Sequence, residues 1–319
     1  MRLRGGSPGS SPGGTGRMDG LRLAVGMLTV FPVRVERVDR RAAGVAMLVA
    51  PAVGLVLGAV ACLPLVLPGP PLLGAVLAVG VLAALTRGLH LDGLADLADG
   101  LGSGKPAGQA LDIMKKSDIG PFGVMTLVIT LFAQVAALVA AGPYALVTAC
   151  VTGRLALVWA CRAGVPAARP GGLGSTVAGT IRPASAWLVT AAALTMTALA
   201  GWALPAAAPS AAALTATMPP PVAVSPTTAL PTTVLPTAVL PATVLPATVL
   251  PATGLSGAGL PGAVPLAFVL PVAMAAGLGI ALLLLRRARS RLGGVTGDVL
   301  GALVETATTG VLVVCAMAG

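Results

Sequence analysis

Charge is scarce in this chain: Asp, Glu, Lys and Arg make up 9% of 319 residues, against ~25% in an ordinary soluble domain. Aromatics are only 3%, so the surplus of 20 Lys and Arg over 10 Asp and Glu is not interleaved with rings, and a base-stacking nucleic-acid surface is excluded. Histidine occurs once. The four cysteines, Cys62, Cys150, Cys161 and Cys315, lie in apolar stretches without a CxxC pair or a neighbouring histidine, which removes the usual patterns for zinc and thiol redox chemistry. No apolar segment follows Arg2 and Arg4, where "GGSPGSSPGGTG" stands instead, so the beginning does not read as a signal peptide. Residues 1–17 are expected to be disordered, with Met18 an alternative start.

What is abundant is apolar surface: 56% of residues are hydrophobic and the mean hydropathy is +0.96. Runs near 43–66, 71–86, 121–141, 143–161, 184–204, 262–285 and 299–318 approach the ~17–25 residues that cross a bilayer. The second run is the weakest. The expected fold is an all-α polytopic membrane bundle of about 6–7 spans, with a short interfacial helix over 21–33. Charge placement supports this topology independently. Arg87, Lys105, Lys115, Lys116, Arg162, Arg169, Arg182, Arg286, Arg287, Arg289 and Arg291 all fall in alternate connections, 87–120, 162–183 and 286–298. Connections near 67–70, Gly142 and 205–261 carry no charge. Lys and Arg collect on the cytoplasmic side, which puts the N-terminus and the basic loops there.

The chain divides into 1–17, a membrane domain formed by 18–204 and 262–319, and an insertion at 205–261. That insertion repeats "LPTTVLPTAVLPATVLPATVLPAT", and proline at every fifth residue forbids regular helix, so an extended low-complexity segment without chemistry is expected.

Acid gathers in "RGLHLDGLADLADGLGSGK", from Arg87 to Lys105. On a helix, Asp92, Asp96 and Asp99 stand at i, i+4 and i+7, three carboxylates on one face. Mg²⁺ binds carboxylate oxygens and shares its remaining positions with water and substrate phosphates, so the spacing suits a Mg²⁺–diphosphate site; a solvated acidic turn between spans is the competing reading. The glycines around them let backbone approach a ligand. His90, off that face, is a candidate general base or a structural hydrogen-bonding residue. Downstream, Lys115, Lys116, Ser117 and Asp118 offer phosphate donors beside a carboxylate, unless the lysines only anchor the interface. Arg154 and Glu305 fall inside spans, where a charge is costly and faces a cavity or a partner. Arg169 and Arg182 flank a glycine-rich turn, and Asp298 precedes Glu305 by seven residues on one helical face.

In order along the chain, "LTVFPVR", "LHLDGLADLADGLGSG", "IMKKSDIGPFG", "ARPGGLGS" and "GGVTGDVLGALVE" resemble the family of cobalamin-5'-phosphate synthases, also called adenosylcobinamide-GDP ribazoletransferases. The likeness extends over most of the chain from Met18 onward, omitting the proline repeat. Family members often place an acidic residue before the serine and a basic one after it, an order that Lys116 and Asp118 reverse. The resemblance implies Mg²⁺-dependent joining of adenosylcobinamide-GDP to α-ribazole or its 5'-phosphate with release of GMP. It also implies Mg²⁺ on Asp92, Asp96 and Asp99, and phosphate contacts from Arg154, Arg169 and the lysines. One carboxylate or His90 would take the hydroxyl proton, and the implied partners are the bilayer and other enzymes of nucleotide-loop assembly. Two other classes compete: a CDP-alcohol phosphotransferase, whose Ala-Arg pair after the first Asp-Gly is missing from "DGLADLADG", and a transporter, which would carry its charges near the midplane.

Overall fold

The computed structural model describes residues 15–35, 38–207 and 265–318. The segments expected to form the disordered N-terminus and the proline-rich insertion therefore fall almost wholly outside the described residues. Two compact units divide the chain, and the larger, residues 1–203 and 264–319, is the one described below. All its named elements are helices: α1 (Thr15–Leu28), α2 (Arg40–Ala61), α3 (Leu63–Val66), α4 (Pro71–Leu85), α5 (Leu89–Gly102), α6 (Ala107–Ile113), α7 (Pro121–Ala160), α8 (Gly172–Val177), α9 (Pro183–Ala207), α10 (Leu266–Leu292) and α11 (Gly297–Ala318).

Local chemistry sets the boundaries. Proline opens α4, α7 and α9, where its missing N–H costs nothing. The Asp39 carboxylate accepts from the Ala42 N–H at 2.7 Å to start α2, and the Thr296 hydroxyl accepts from the Val299 N–H at 3.2 Å to start α11. Gly293, at φ 85°, ends α10 in the left-handed conformation.

Five helical runs, beginning at Arg40, Pro121, Pro183, Leu266 and Gly297, are long and apolar enough to cross a membrane; α4 and α5 together make a sixth if taken as one broken span. The expected span at 71–86 falls on α4, which is short for one. The 15 residues of α4 rise only about 22 Å, short of a ~30 Å hydrocarbon layer, and the chain then bends by 88° into α5. Arg87 (φ 55°) and Gly88 (φ 66°) make that bend. We read α5 as lying across the loop-bearing end of the bundle rather than completing a span, because it carries His90 and three aspartates. Residues 87–120, expected as a loop, are thus largely helical.

The 40 residues of α7 contain two antiparallel arms, 121–141 and 143–160. Gly142 has non-helical backbone (φ 75°, ψ −175°) ahead of Pro143. Gln134 bonds Thr309, while the neighbouring Thr308 bonds the Ala149 carbonyl. On a straight helix positions 134 and 149 would lie about 22 Å apart, so the chain folds back between them, where the sequence separates two spans.

The core is close packing of small residues, the means by which helices associate where lipid removes the hydrophobic gradient. A Cβ on Gly54 or Gly58 of α2 would strike Cys150 and Val147 of α7, and one on Gly153 would strike Val304 and Thr308 of α11. The cysteines of this core, Cys150 and Cys315, are free, as are Cys62 and Cys161. Trp159 docks α9 through an edge-to-face contact with Trp187 (4.8 Å) and a 3.0 Å bond to the Thr190 hydroxyl.

The basic connections meet at one end. Arg40 donates to the Ser175 and Ala178 carbonyls, Arg289 to Gly164 and Arg291 to Lys105. Residues 166–168 pair with Val295 through backbone bonds of 2.9 and 3.0 Å. The three charged connections therefore share a face, as their arginines require.

Candidate active site

The site is built where α5 crosses the beginning of α11. Gly93 permits the crossing, since a Cβ there would stand 2.7 Å from the Asp298 carbonyl oxygen, and Gly301 does the same opposite the His90 backbone. These glycines, with Gly100 against Met114 and Gly102 against the Phe122 ring, admit neighbouring protein rather than a ligand, which corrects the expected reason for their presence.

The crossing brings Asp298 beside the acidic helix. Burial, then the carboxylates of Asp92, Asp298 and Asp99, push Asp96 up to about 7. Arg169, delivered by the pairing of 166–168 with Val295, reaches Asp298 at 3.8 Å with both side chains about a quarter exposed, so the ion pair is weak. A second Arg169 nitrogen, Nη1, is buried with no hydrogen-bond partner among the described residues. His90, Asp92, Gly297 and Asp298 line a pocket of about 170 Å³. Burial first, and the Arg154 charge second, hold the His90 imidazole well below its ordinary value, so it is neutral.

Asp99 is differently engaged. Its two oxygens accept from the Gly120 and Gly123 N–H groups at 2.7 and 2.9 Å, capping the first turn of α7. A Cβ at either glycine would lie 2.5 Å from that carboxylate, so "GPFG" forms its seat. Asp99, expected with Asp92 and Asp96 as a metal ligand, joins the acidic helix to the next span and also lines a pocket with Asp96, while Asp298 lies with Asp92 in a second pocket.

Of the second motif, Lys116 and Asp118 line a pocket of about 220 Å³ with Asp96, Asp99, Ser103 and Phe122. Lys115 turns to Asp112 at 3.4 Å, and Ser117 is exposed and does not line the pocket. Arg154 and Glu305 line neither pocket. Seven residues below Asp298, about 10 Å along α11, Glu305 accepts from the Gln134 amide at 2.8 Å. Arg154 is 1% exposed, with Nε and Nη2 lacking hydrogen-bond partners among the described residues. Gln134 and Arg40 went unremarked in the sequence, although an amide inside the run "TLFAQVAAL" is a visible signal.

Among the described residues no group of three or more His, Cys, Asp or Glu is arranged to hold a metal ion unaided. The donor chemistry nevertheless fits Mg²⁺, which takes one or two carboxylates and completes its shell with water and substrate phosphate. Asp92 is exposed, Asp96 is half-buried, and their mutual repulsion with Asp298 leaves negative charge for a cation to offset.

Comparison with known proteins identifies the family. The family model described as cobalamin-5-phosphate synthase matches residues 20–316. A Frankia casuarinae protein named adenosylcobinamide-GDP ribazoletransferase is 46% identical over 185 residues, 52% of this chain and 66% of its own length, so slightly under two thirds of that relative is spanned. Proteins of the same name from a Nocardioides species and from Stutzerimonas stutzeri are each 42% identical, over 51% and 54% of this chain and 74% and 73% of their own lengths. No solved structure matches. With the family model spanning nearly the whole chain and the matched region containing every element of the site, the chain belongs to the cobalamin-5-phosphate synthase family.

Proposed function

We propose that the protein catalyses Mg²⁺-dependent transfer of a cobinamide-phosphate moiety from adenosylcobinamide-GDP to a hydroxyl of α-ribazole or its 5'-phosphate. The observation that carries this reading is the convergence of Asp92, Asp96 and Asp298 with Arg169 at one end of the bundle, an acid and base set suited to a diphosphate. In the reaction the hydroxyl oxygen bonds the cobinamide-side phosphorus, the bridging P–O bond of the diphosphate breaks, and GMP leaves. Such chemistry depends on positioning and on offsetting phosphate charge.

Asp92 and Asp298, which line one pocket, with Asp96 beside them, would supply the one or two carboxylates that hold Mg²⁺, and the ion when bound offsets charge on the diphosphate oxygens. Arg169 presents its unpartnered Nη1 to the transferring phosphate, and Lys116 meets a second phosphate from the neighbouring pocket. His90, neutral at the wall of the Asp92 and Asp298 pocket, accepts the hydroxyl proton. Asp99 holds α5 and α7 in register. The basic face is cytoplasmic and the bundle lies in the cell membrane, as the segregation of Lys and Arg supports.

Purified protein in liposomes, supplied with adenosylcobinamide-GDP, α-ribazole phosphate and Mg²⁺, is expected to release GMP in step with corrinoid product. Folded protein that forms neither would overturn the proposal, and α-ribazole passing the bilayer unchanged would point to transport.

A further inference from the structure

A groove between helices lies away from the carboxylates. About 430 Å³ in volume, it runs between α5, the first arm of α7, α10 and the middle of α11. Leu94, Leu97 and Leu101 form one wall and Ile280 and Leu283 another, with Arg287 the one ionisable lining residue. It opens on the flank of the bundle, where Ile280 is 43% and Leu283 63% exposed, the surface that a bilayer covers.

Depth and charge identify the occupant. Arg289 and Arg291 are tied to the carbonyls of Gly164 and Lys105 at the loop-bearing face, which sets Arg287 just beneath the polar boundary. From there to Ile280 is two helical turns, about 10 Å of apolar wall. The Arg287 carbonyl accepts from the Ser290 hydroxyl, but its guanidinium has no hydrogen-bond or ion-pair partner among the described residues, and no carboxylate lines the groove to receive a choline or ammonium headgroup. A nucleotide would find almost no polar donors in these walls, whereas an acyl chain under a phosphate finds both parts it needs.

We propose that this groove is a binding site for one anionic glycerophospholipid, its phosphate on Arg287 and an acyl chain along the leucines of α5 and α10. The leucine wall is the reverse face of the helix that carries Asp92 and Asp96, so the lipid backs the helix of the candidate site. This inference does not rest on the reaction proposed above.

Arg286 supplies an internal control, because it is equally exposed at the same depth and does not line the groove. In neutral detergent, native mass spectrometry with dioleoyl phosphatidylglycerol or phosphatidylcholine is expected to show one retained molecule of the anionic lipid in wild type and in Arg286→Gln. Arg287→Gln should weaken that retention about fivefold, the effect of ~1 kcal/mol for one arginine at a charged headgroup. Ala98→Phe, which fills the groove, should abolish retention of either lipid while Arg287→Gln spares phosphatidylcholine. Equal retention of both lipids by wild type, equal loss in the two arginine variants, or displacement of the lipid by millimolar inorganic phosphate would each overturn the proposal.

Discussion

Asp99 has a structural use that its sequence position does not suggest, and the reason is a contact across 21 residues. Helical spacing puts Asp99 on one face with Asp92 and Asp96, but only the fold brings the Gly120 and Gly123 N–H groups against it. That contact is invisible to periodicity, as is the crossing that brings Asp298 to Asp92. The concentration of acid itself was legible, because carboxylates stand out in so apolar a chain. Removing the cap leaves two buried N–H groups unpaired, so Asp99→Ala should lower stability by about 2–4 kcal/mol, while Asp99→Asn, keeping one acceptor, loses less. Thermal unfolding in detergent measures both; equal, negligible losses would remove the cap from the account.

Asp96 makes a second residue-level prediction. Its folded value of about 7 lies above its ordinary 3.8, so the folded state holds a proton that the unfolded state releases. Without divalent cation, stability should therefore fall as pH rises from about 4 to about 7 and level off above. Mg²⁺ at millimolar concentration should restore it at the upper end, and Asp96→Asn should flatten the slope. An unfolding temperature with the same slope in Asp96→Asn and wild type would show that another group carries the effect.

At the scale of elements, two breaks decide where the chemistry sits. Gly142-Pro143 was legible as a boundary between two apolar runs, and the fold doubles back there. Turning α5 by 88° was not legible: the apolar run continues through 71–86, and the bend rests on left-handed Arg87 and Gly88, with the Arg87 guanidinium held by the Gly26 carbonyl at 3.3 Å. Turned this way, α5 meets α11 through Gly93. Gly93→Ala would force backbone against backbone and should cost about 1–3 kcal/mol, as overpacking does, while separating Asp92 from Asp298. Gly108→Ala, in open space, should be neutral. If both variants unfold at the wild-type temperature, the crossing is looser than described.

For the whole molecule, arginine made the sidedness readable. Arg154 apart, Lys and Arg beyond the first span stand in or beside alternate connections, and the fold gathers those connections at one end through Arg40, Arg289 and Arg291. Hydropathy registered the apolar length of helix α4 and not the bend that ends it. On the opposite side, a Cβ on Gly201 would stand 2.6 Å from the Ala267 nitrogen, so the chain leaves and re-enters the bundle at one place. Replacing 208–262 with a linker of about six residues, able to cover about 20 Å, should leave the unfolding temperature within the 2–4 °C that a ~1 kcal/mol change produces. A larger drop would mean that the repeat contributes to the bundle.

In the function proposed above, Mg²⁺ is held among Asp92, Asp96 and Asp298, and Asp99 serves the fold. The Mg²⁺ concentration giving half-maximal GMP release, measured for the four single Asp→Asn variants and corrected for folded fraction, tests it most directly. The requirement should rise at least ~10-fold, a loss of ~1.4 kcal/mol or more, or turnover should be abolished, in Asp92→Asn, Asp96→Asn and Asp298→Asn, and Asp99→Asn should keep the wild-type requirement. A raised requirement in Asp99→Asn together with an unchanged one in Asp298→Asn would contradict it.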